Sequence, residues 1–477
     1  MAIGSLSRSE FLNRLYQVVR PSTPIDSPEF LFGRNKQINE ITDALMAPGR
    51  HSFIYGSRGV GKSSLAHSVA YQLQEEADPI LLSCDSKSTL ESIISEALRR
   101  AIDGHKKKSD WSATITLGFA GNGIKFEHKN TKEVTNIEIY DVSSAVYALQ
   151  HLERIHSEVP YIVIDEFDRI EASEEREKFG TLLKQLGDRR CKVKILFTGI
   201  AESFQEVLHG HASSARQIHE LKLEPLPWDG RANIIERAFT EFGIFIPEDL
   251  KFRISGLSDG FPHYVHIICE KILFNIFDRE EDIREVNYAM FIEGLDSAVR
   301  SVEQSLKSSY NQATEARDAQ YAYVLWAVAD SADLQRKKGD VWQSYQDVCQ
   351  QLKISPLTDS AFSRILSYLK KEEYGGVVIP AFAGKRKGWY RFNENMLRGY
   401  VRMHAEVRGI KLDFQKNFTS NEPTANSRVN SRFSKSFSQV EAEVDYQQRQ
   451  EKELLKELSK EYAKRNRWYD KSYYVTT

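Results

Sequence analysis

The sequence predicts an α/β protein. A parallel sheet covered by helices on both faces comes first, followed by a helical domain and a small C-terminal winged-helix-like domain. Three observations carry this expectation. The apolar run His51–Tyr55 leads straight into a glycine-rich loop and a helical stretch. A second apolar run, Tyr161–Ile164, ends in the paired carboxylates Asp165 and Glu166. Strand-like and helical segments alternate from the first run to about residue 226, the pattern of a parallel sheet with crossover helices.

Composition narrows the class. At roughly 150 residues per domain, 477 residues make about three domains. The chain is 41% hydrophobic and 28% charged, ordinary globular usage. No apolar run approaches the ~20 residues that span a bilayer. The opening MAIGSLSRSEFLNRLYQVVR is broken by charges where a secretory signal is apolar, so a cytoplasmic protein with no membrane contact is expected. Cys84, Cys191, Cys269 and Cys349 lie far apart with no CxxC, which favours reduced thiols over zinc or disulfides. Net charge is −2, from 65 basic and 67 acidic residues, so nucleic acid would have to be met by a local patch.

The loop is Gly56-Ser57-Arg58-Gly59-Val60-Gly61-Lys62-Ser63-Ser64, the pattern G-x-x-x-x-G-K-[ST] between a strand and a helix. Glycines let the backbone wrap phosphate oxygens, and the helix that follows offers its positive end to the anion. Lys62 is expected to reach the β- and γ-phosphates and the Ser63 hydroxyl to ligate Mg²⁺. On the second strand, Asp165 is expected in the Mg²⁺ shell and Glu166 to orient and deprotonate the attacking water. Asp168 reads as a helix cap or a partner of Arg169.

Further elements follow in order. Pro79–Asp85 reads as a strand and TLESIISEALRRAI as a helix. Trp111–Lys129 alternates around Gly121-Asn122-Gly123 as a β-hairpin insertion, at about 111–129. EEREKFGTLLKQLGDRR is helical, Val193–Gly199 a strand and Gln217–Leu226 a last strand. With the P-loop strand central, Thr198 at the end of its strand either contacts the attacking water or caps the chain. Arg216 opens the last strand and is a candidate cation for the γ-phosphate, of its own or a neighbouring subunit. A solvated arginine is the alternative, and Arg189 and Arg190 compete for the role.

With Phe30-Leu31-Phe32-Gly33-Arg34, the P-loop, IDEFD, ILFTG and ELKLEPL together, the chain resembles AAA+ and STAND P-loop ATPases of the origin-recognition-like, archaeal-type branch. The resemblance implies ATP and Mg²⁺ as ligands. It puts Leu31, Phe32, Gly33 and Arg34 beside the adenine, Leu31 standing where the family has phenylalanine. It matches Thr198 to Sensor 1. Gly260-Phe261-Pro262 resembles the GxP-type motif of STAND lids, whose proline abuts the nucleotide. The expected organisation, its last two segments read from composition and charge spacing, is an N-terminal helical segment (1–27), ATPase core (28–226), helical lid (227–312), winged-helix-like domain (313–412), flexible linker (413–438) and charged helical tail (439–477).

In the C-terminal half, AQYAYVLWAVAD, WQSYQDVCQQL and Thr358–Lys370 read as three helices, followed by two β-like runs joined at Gly384–Gly388. If this unit grips DNA, the third helix presents Ser360, Ser363, Arg364 and Ser367 to the bases, and Lys385, Arg386 and Lys387 meet phosphates. Packing against a protein is the competing reading. The expected function is an ATP-binding and hydrolysing switch or clamp that controls assembly with itself or a separate effector, in a defence or DNA-transaction system. The alternative is an ATP-dependent DNA-binding loader resembling replication initiators or transposition regulators.

Overall fold

Aliphatic and aromatic residues crowd five short runs: β1 (His51–Tyr55), β2 (Ile80–Ser83), β3 (Tyr161–Asp165), β4 (Lys194–Gly199) and β5 (Ile218–Lys222). In a computed structural model of the chain they pair in parallel in the order β2-β3-β4-β1-β5. The structure describes residues 3–74, 77–104, 111–118, 121–128, 134–156, 158–201, 204–205, 207, 215–279, 281–382 and 386–416. Met1–Asn417 forms one compact unit. The second unit, Phe418–Thr477, holds the expected tail and most of the expected linker and lies outside the described residues.

Successive strand residues point to opposite faces, so the sheet feeds two cores. Phe53, Ile162, Ile164, Ile195 and Phe197 pack with helices Leu90–Gly104, Val142–Ile155 and Ser173–Asp188. Ile54, Val163, Leu196 and Leu221 join a second core that runs on through the helical domain to Phe414. Strand β4 is buried from end to end and β3 nearly so, as a sheet covered on both faces requires. Ser83 pairs with Asp165, Ile54 with Thr198 and Ile164 with Phe197, which brings Asp165 beside Thr198 at the carboxyl edge.

The insertion is larger than a hairpin. Trp111–Gly118, Gly121–His128 and Val134–Glu138 form a three-stranded antiparallel sheet. Gly118 pairs with Gly121, so Gly121-Asn122-Gly123 lies inside the second strand, and the residues between Gly118 and Gly121 fall outside the described ones. The two-residue connection fixes the register, and the Asn-Gly dipeptide does not make the turn.

Helices Trp228–Thr240, Glu248–Leu257, Pro262–Phe277, Tyr288–Ser301 and Gln304–Thr314 follow the sheet. Helices Gln320–Ala329, Lys338–Leu352 and Asp359–Tyr368 then accompany a three-stranded antiparallel sheet of Arg336–Lys337, Val378–Pro380 and Trp389–Phe392. Thr358 caps the third of these helices by accepting from Ala361 N–H. One more helix, Asn395–Val407, closes the unit. Residues 413–416, expected to begin a linker, are packed instead. Phe414 is buried beneath Arg253 and Arg402, Asp413 N–H donates to Asp330 Oδ1 (2.7 Å), and Lys416 pairs with Asp330 and Asp347. All four cysteines are buried and free. No helix among the described residues is long and apolar enough to cross a membrane.

Candidate active site

The loop after β1 ends at Gly61, whose φ of 96° opens the Lys62–Leu73 helix with no side-chain cap. The first N–H groups of that helix are thus left for an anion. Lys62 Nζ donates to the carbonyls of Gly56 and Ser57, both at 3.1 Å. Burial lowers its pKa, and the nearby carboxylates of Asp168, Asp165 and Glu166 oppose the shift.

Across the cavity, Asp165 Oδ1 is a three-way acceptor. It takes hydrogen bonds from Ser63 Oγ (2.9 Å), from Thr198 Oγ1 and from the backbone N–H of Glu166 (3.1 Å). The Glu166 N–H also reaches Thr198 Oγ1 at 3.1 Å. In this arrangement Thr198 positions the acidic pair. Glu166 itself sits at φ 54°, ψ 40°, a left-handed conformation that costs a non-glycine residue about 1 kcal/mol or more. The next residue holds it there: Phe167 is fully buried, edge-on to Phe53, Phe179 and Phe197. The Glu166 carboxylate pairs with Arg169 Nε (3.0 Å) and takes a long hydrogen bond from Ser83 Oγ (3.4 Å). Arg169 therefore answers Glu166, where a helix cap or pairing with Arg169 was the expectation for Asp168.

These groups line one cavity of about 730 Å³, within the range of small-molecule sites. Arg58, Gly59, Gly61, Lys62, Ser63 and Ser64 supply one wall; Asp165, Glu166, Asp168, Arg169 and Thr198 supply another. The rest comes from far away in sequence. Arg20–Ile25 forms a strap, Pro262, His263 and His266 lie on one helix, and Ser301, Glu303, Leu306 and Met396 close the remaining side. The strap is tied at both ends. The ring Nδ1 of His263 meets the carbonyl of Pro21 (2.8 Å), Ile25 N–H donates to Ser64 Oγ (3.1 Å), and Ser68 Oγ donates back to the Ile25 carbonyl (3.1 Å).

Other predicted residues stand elsewhere. Leu31, Phe32, Gly33 and Arg34 do not line the cavity. Leu31 is buried in the core with Phe32 packed against it. Gly33 has φ 68°, and a Cβ there would lie 2.8 Å from the Cα of Gly230, so this segment is a close seam between core and helical domain. Arg34 is buried and donates to the carbonyls of Val60 (3.1 Å) and Glu224 (2.8 Å), stitching the loop to the chain after β5. Burial brings its pKa down to about 10. Gly56 packs against the Leu223 carbonyl, Val60 is buried, and Ser57 Oγ accepts from Asn395 Nδ2 (3.0 Å). Arg58 pairs with Glu303 at 2.8 Å. Arg216 is exposed and lines no part of the cavity. Arg364, Arg386 and Lys387 are exposed, Arg386 over the ring of Phe382; Lys385 lies outside the described residues.

Residues 31–196 match the AAA ATPase domain family. This segment is an AAA+ ATPase domain. Its match covers the P-loop and the acidic pair, while Thr198, Arg216 and Pro262 lie beyond it. No curated protein matches the chain. Among solved structures, a Walker-type ATPase of Pyrococcus abyssi is 16% identical, covering 80% of this chain and 98% of its own, with a TM-score of 0.44. Cdc6p of Pyrobaculum aerophilum is 15% identical over 82% and 99%, with a TM-score of 0.41. The Orc1 protein of Aeropyrum pernix, solved in complex with DNA, is 15% identical over 80% and 94%, with a TM-score of 0.40. Likenesses this distant carry no functional reading.

Around the AAA+ domain, little in the residue pattern points to the strap, His266, Glu303 or Met396 as cavity residues, because each reaches the cavity through long-range packing. Pro21 and Pro24 are the one local signal. Two prolines so close mark an extended segment short of backbone donors, suited to lying across another element.

Proposed function

We propose that the chain binds ATP with Mg²⁺, hydrolyses it, and uses the cycle as a conformational switch. The observation that carries this reading is the convergence of Lys62, Ser63, Asp165, Glu166 and Thr198 on one cavity, with Asp165 fixed by three donors. The P-loop backbone and Lys62 hold the phosphates. Ser63 and Asp165 form a hard-oxygen donor pair that suits Mg²⁺, which takes few protein ligands beside phosphate oxygens and water. When bound, the ion neutralises charge that develops on the phosphates. Glu166 turns toward a water at the γ-phosphate and accepts its proton, and for this it exchanges the Arg169 contact for that water. Thr198 keeps Asp165 and the Glu166 backbone in register as this occurs.

The switch reading rests on who lines the cavity. Core, strap, helical domain and the Asn395–Val407 helix all contribute residues, so filling it bears on their mutual placement. Lys62→Ala is expected to abolish ATP binding, measured by calorimetry. Glu166→Gln is expected to retain ATP and lose turnover; an unchanged hydrolysis rate would remove Glu166 from its role. Sizing the Glu166→Gln protein by light scattering with and without ATP tests assembly and whether Arg216 acts across a subunit boundary.

A second reading, DNA binding through a winged helix, is favoured by one observation. Ser360, Arg364 and Ser367 are all exposed at helical spacing on the Asp359–Tyr368 helix and its N-terminal turn, although Ser363 Oγ is spent on the Asp359 carbonyl (2.6 Å). Salt-dependent binding to duplex DNA, weakened by neutralising Arg364, Arg386 and Lys387, is its test.

A further inference from the structure

His266 is 4% exposed, yet it lines the cavity and neither of its ring nitrogens has a hydrogen-bond partner among the described residues. A buried polar group without a partner costs free energy, and in native proteins such groups are few. Its neighbours are engaged elsewhere. His263 is held by the Pro21 carbonyl and Arg20 by Asp26 (2.6 Å). Burial, with His263 and Arg20 close by, pulls the His266 pKa down to about 4, so the ring is neutral at physiological pH, with one N–H donor and one acceptor.

Its place in the cavity says which part of a ligand it meets. A Cβ on Gly61 would lie 3.8 Å from Pro262 Cγ, so the first residue of the Pro262–Phe277 helix abuts the phosphate loop. His266 is four residues on, hence on the same face and about 6 Å further along the axis. In a nucleotide the sugar follows the phosphates, so for a ligand held at Gly61 by its phosphates the sugar is the first group that can reach His266.

We infer that His266 is a specificity-determining residue, its ring pairing with a sugar hydroxyl of the bound nucleotide and discriminating ribonucleotide from deoxyribonucleotide. The inference rests on the nucleotide-site reading above. It adds a residue that neither the P-loop nor the acidic strand supplies, and it asks for a ligand with a hydroxylated sugar rather than a bare polyphosphate.

The test is equilibrium binding of the full-length chain to ATP, 2′-deoxy-ATP, 3′-deoxy-ATP and GTP, in wild type, His266→Phe and His266→Gln, with Lys62→Ala as the control for the phosphate site. The wild type is expected to prefer ATP over one of the two deoxy analogues by about fivefold to tenfold, as for one buried hydrogen bond. His266→Phe should lose that preference by weakening ATP while leaving the deoxy analogue unchanged, and His266→Gln should retain part of it. Equal weakening of both nucleotides by His266→Phe, with the preference intact, would overturn the inference in favour of a packing role. A changed ATP-to-GTP ratio with the sugar preference untouched would also overturn it, assigning His266 to the base edge. A wild type that binds ATP but shows no sugar preference defeats the inference alone. A wild type that binds no nucleotide, like Lys62→Ala, defeats the site reading beneath it. Matching circular dichroism and melting curves for the variants exclude misfolding.

Discussion

Arg398 grips Asp259 with both arms of its guanidinium: Nε donates to Oδ2 at 2.6 Å and the terminal nitrogen to Oδ1 at 2.5 Å, both side chains almost fully buried. Arg402 adds a third contact to Oδ1 at 2.9 Å. Asp259 immediately precedes Gly260-Phe261-Pro262, and Arg398 stands two residues beyond Met396, so the bond ties two walls of the cavity together at their roots.

Asp259→Asn should therefore be severe. It leaves two buried guanidinium groups short of their counter-charge, a loss of about 3–5 kcal/mol by the usual cost of orphaning one member of a buried pair. Denaturant unfolding measures it, and a loss below about 1 kcal/mol would show that the tie is not ionic. Burial alone would raise the Asp259 pKa, but Arg402 and Arg398 outweigh it and the net shift is downward. The stabilisation is then present at pH values above the ordinary carboxylate range and disappears only as the pH falls through the lowered folded pKa. Wild type and Asp259→Asn should converge in stability only in that acid range.

Thr198→Val removes the hydroxyl that donates to Asp165 and accepts from Glu166 N–H. Turnover should fall by about 10- to 100-fold, the usual scale for groups that orient a ligand-holding residue. ATP affinity in the absence of Mg²⁺ should change little. Steady-state hydrolysis and direct binding separate the two.

Arg169→Gln frees the Glu166 carboxylate. Because the pair is more than half exposed on the arginine side, stability should shift by less than about 1 kcal/mol. Basal hydrolysis should rise a few-fold, since the pairing and the proton-accepting role compete for the same oxygens. A fall in rate would instead make Arg169 a phosphate contact.

Arg34→Met tests the seam. The buried Val60 carbonyl and the partly buried Glu224 carbonyl lose their donor, at about 1–3 kcal/mol for the buried one left unsatisfied, and thermal unfolding should register it. Preference for ATP over GTP should stay the same. A changed base preference would return Arg34 to the adenine side.

The sheet and its phosphate loop were legible because parallel strands buried on both faces must be apolar throughout, and because a glycine-rich turn before a helix leaves a fixed pattern. Asp165 and Glu166 stood out as carboxylates ending an apolar strand that follows a P-loop, while the strand end left Thr198 open between water contact and cap and the resemblance supplied its match to Sensor 1. The helix Asn395–Val407 was not legible. Its inner face carries Arg398, Arg402 and Glu406, a charged row at helical spacing that reads as solvated, yet all three are buried against Asp259, main-chain carbonyls and Arg253. The second half of the cavity was hidden for the same reason: sequence spacing reveals a helix face but not the partner that covers it. Leu31–Arg34 shows the converse, a motif legible in the sequence whose residues pack behind the loop instead of lining the cavity.

One face of the sheet keeps its own counsel. Among the described residues its core is filled by Leu90–Gly104, Val142–Ile155 and Ser173–Asp188 and takes nothing from the helices after β5, and none between Ser64 and Asp165 lines the cavity. The three-stranded insertion leaves and rejoins the chain between the first two of those helices. New sequence can be carried there, lengthened or exchanged, without adding a residue to the cavity wall.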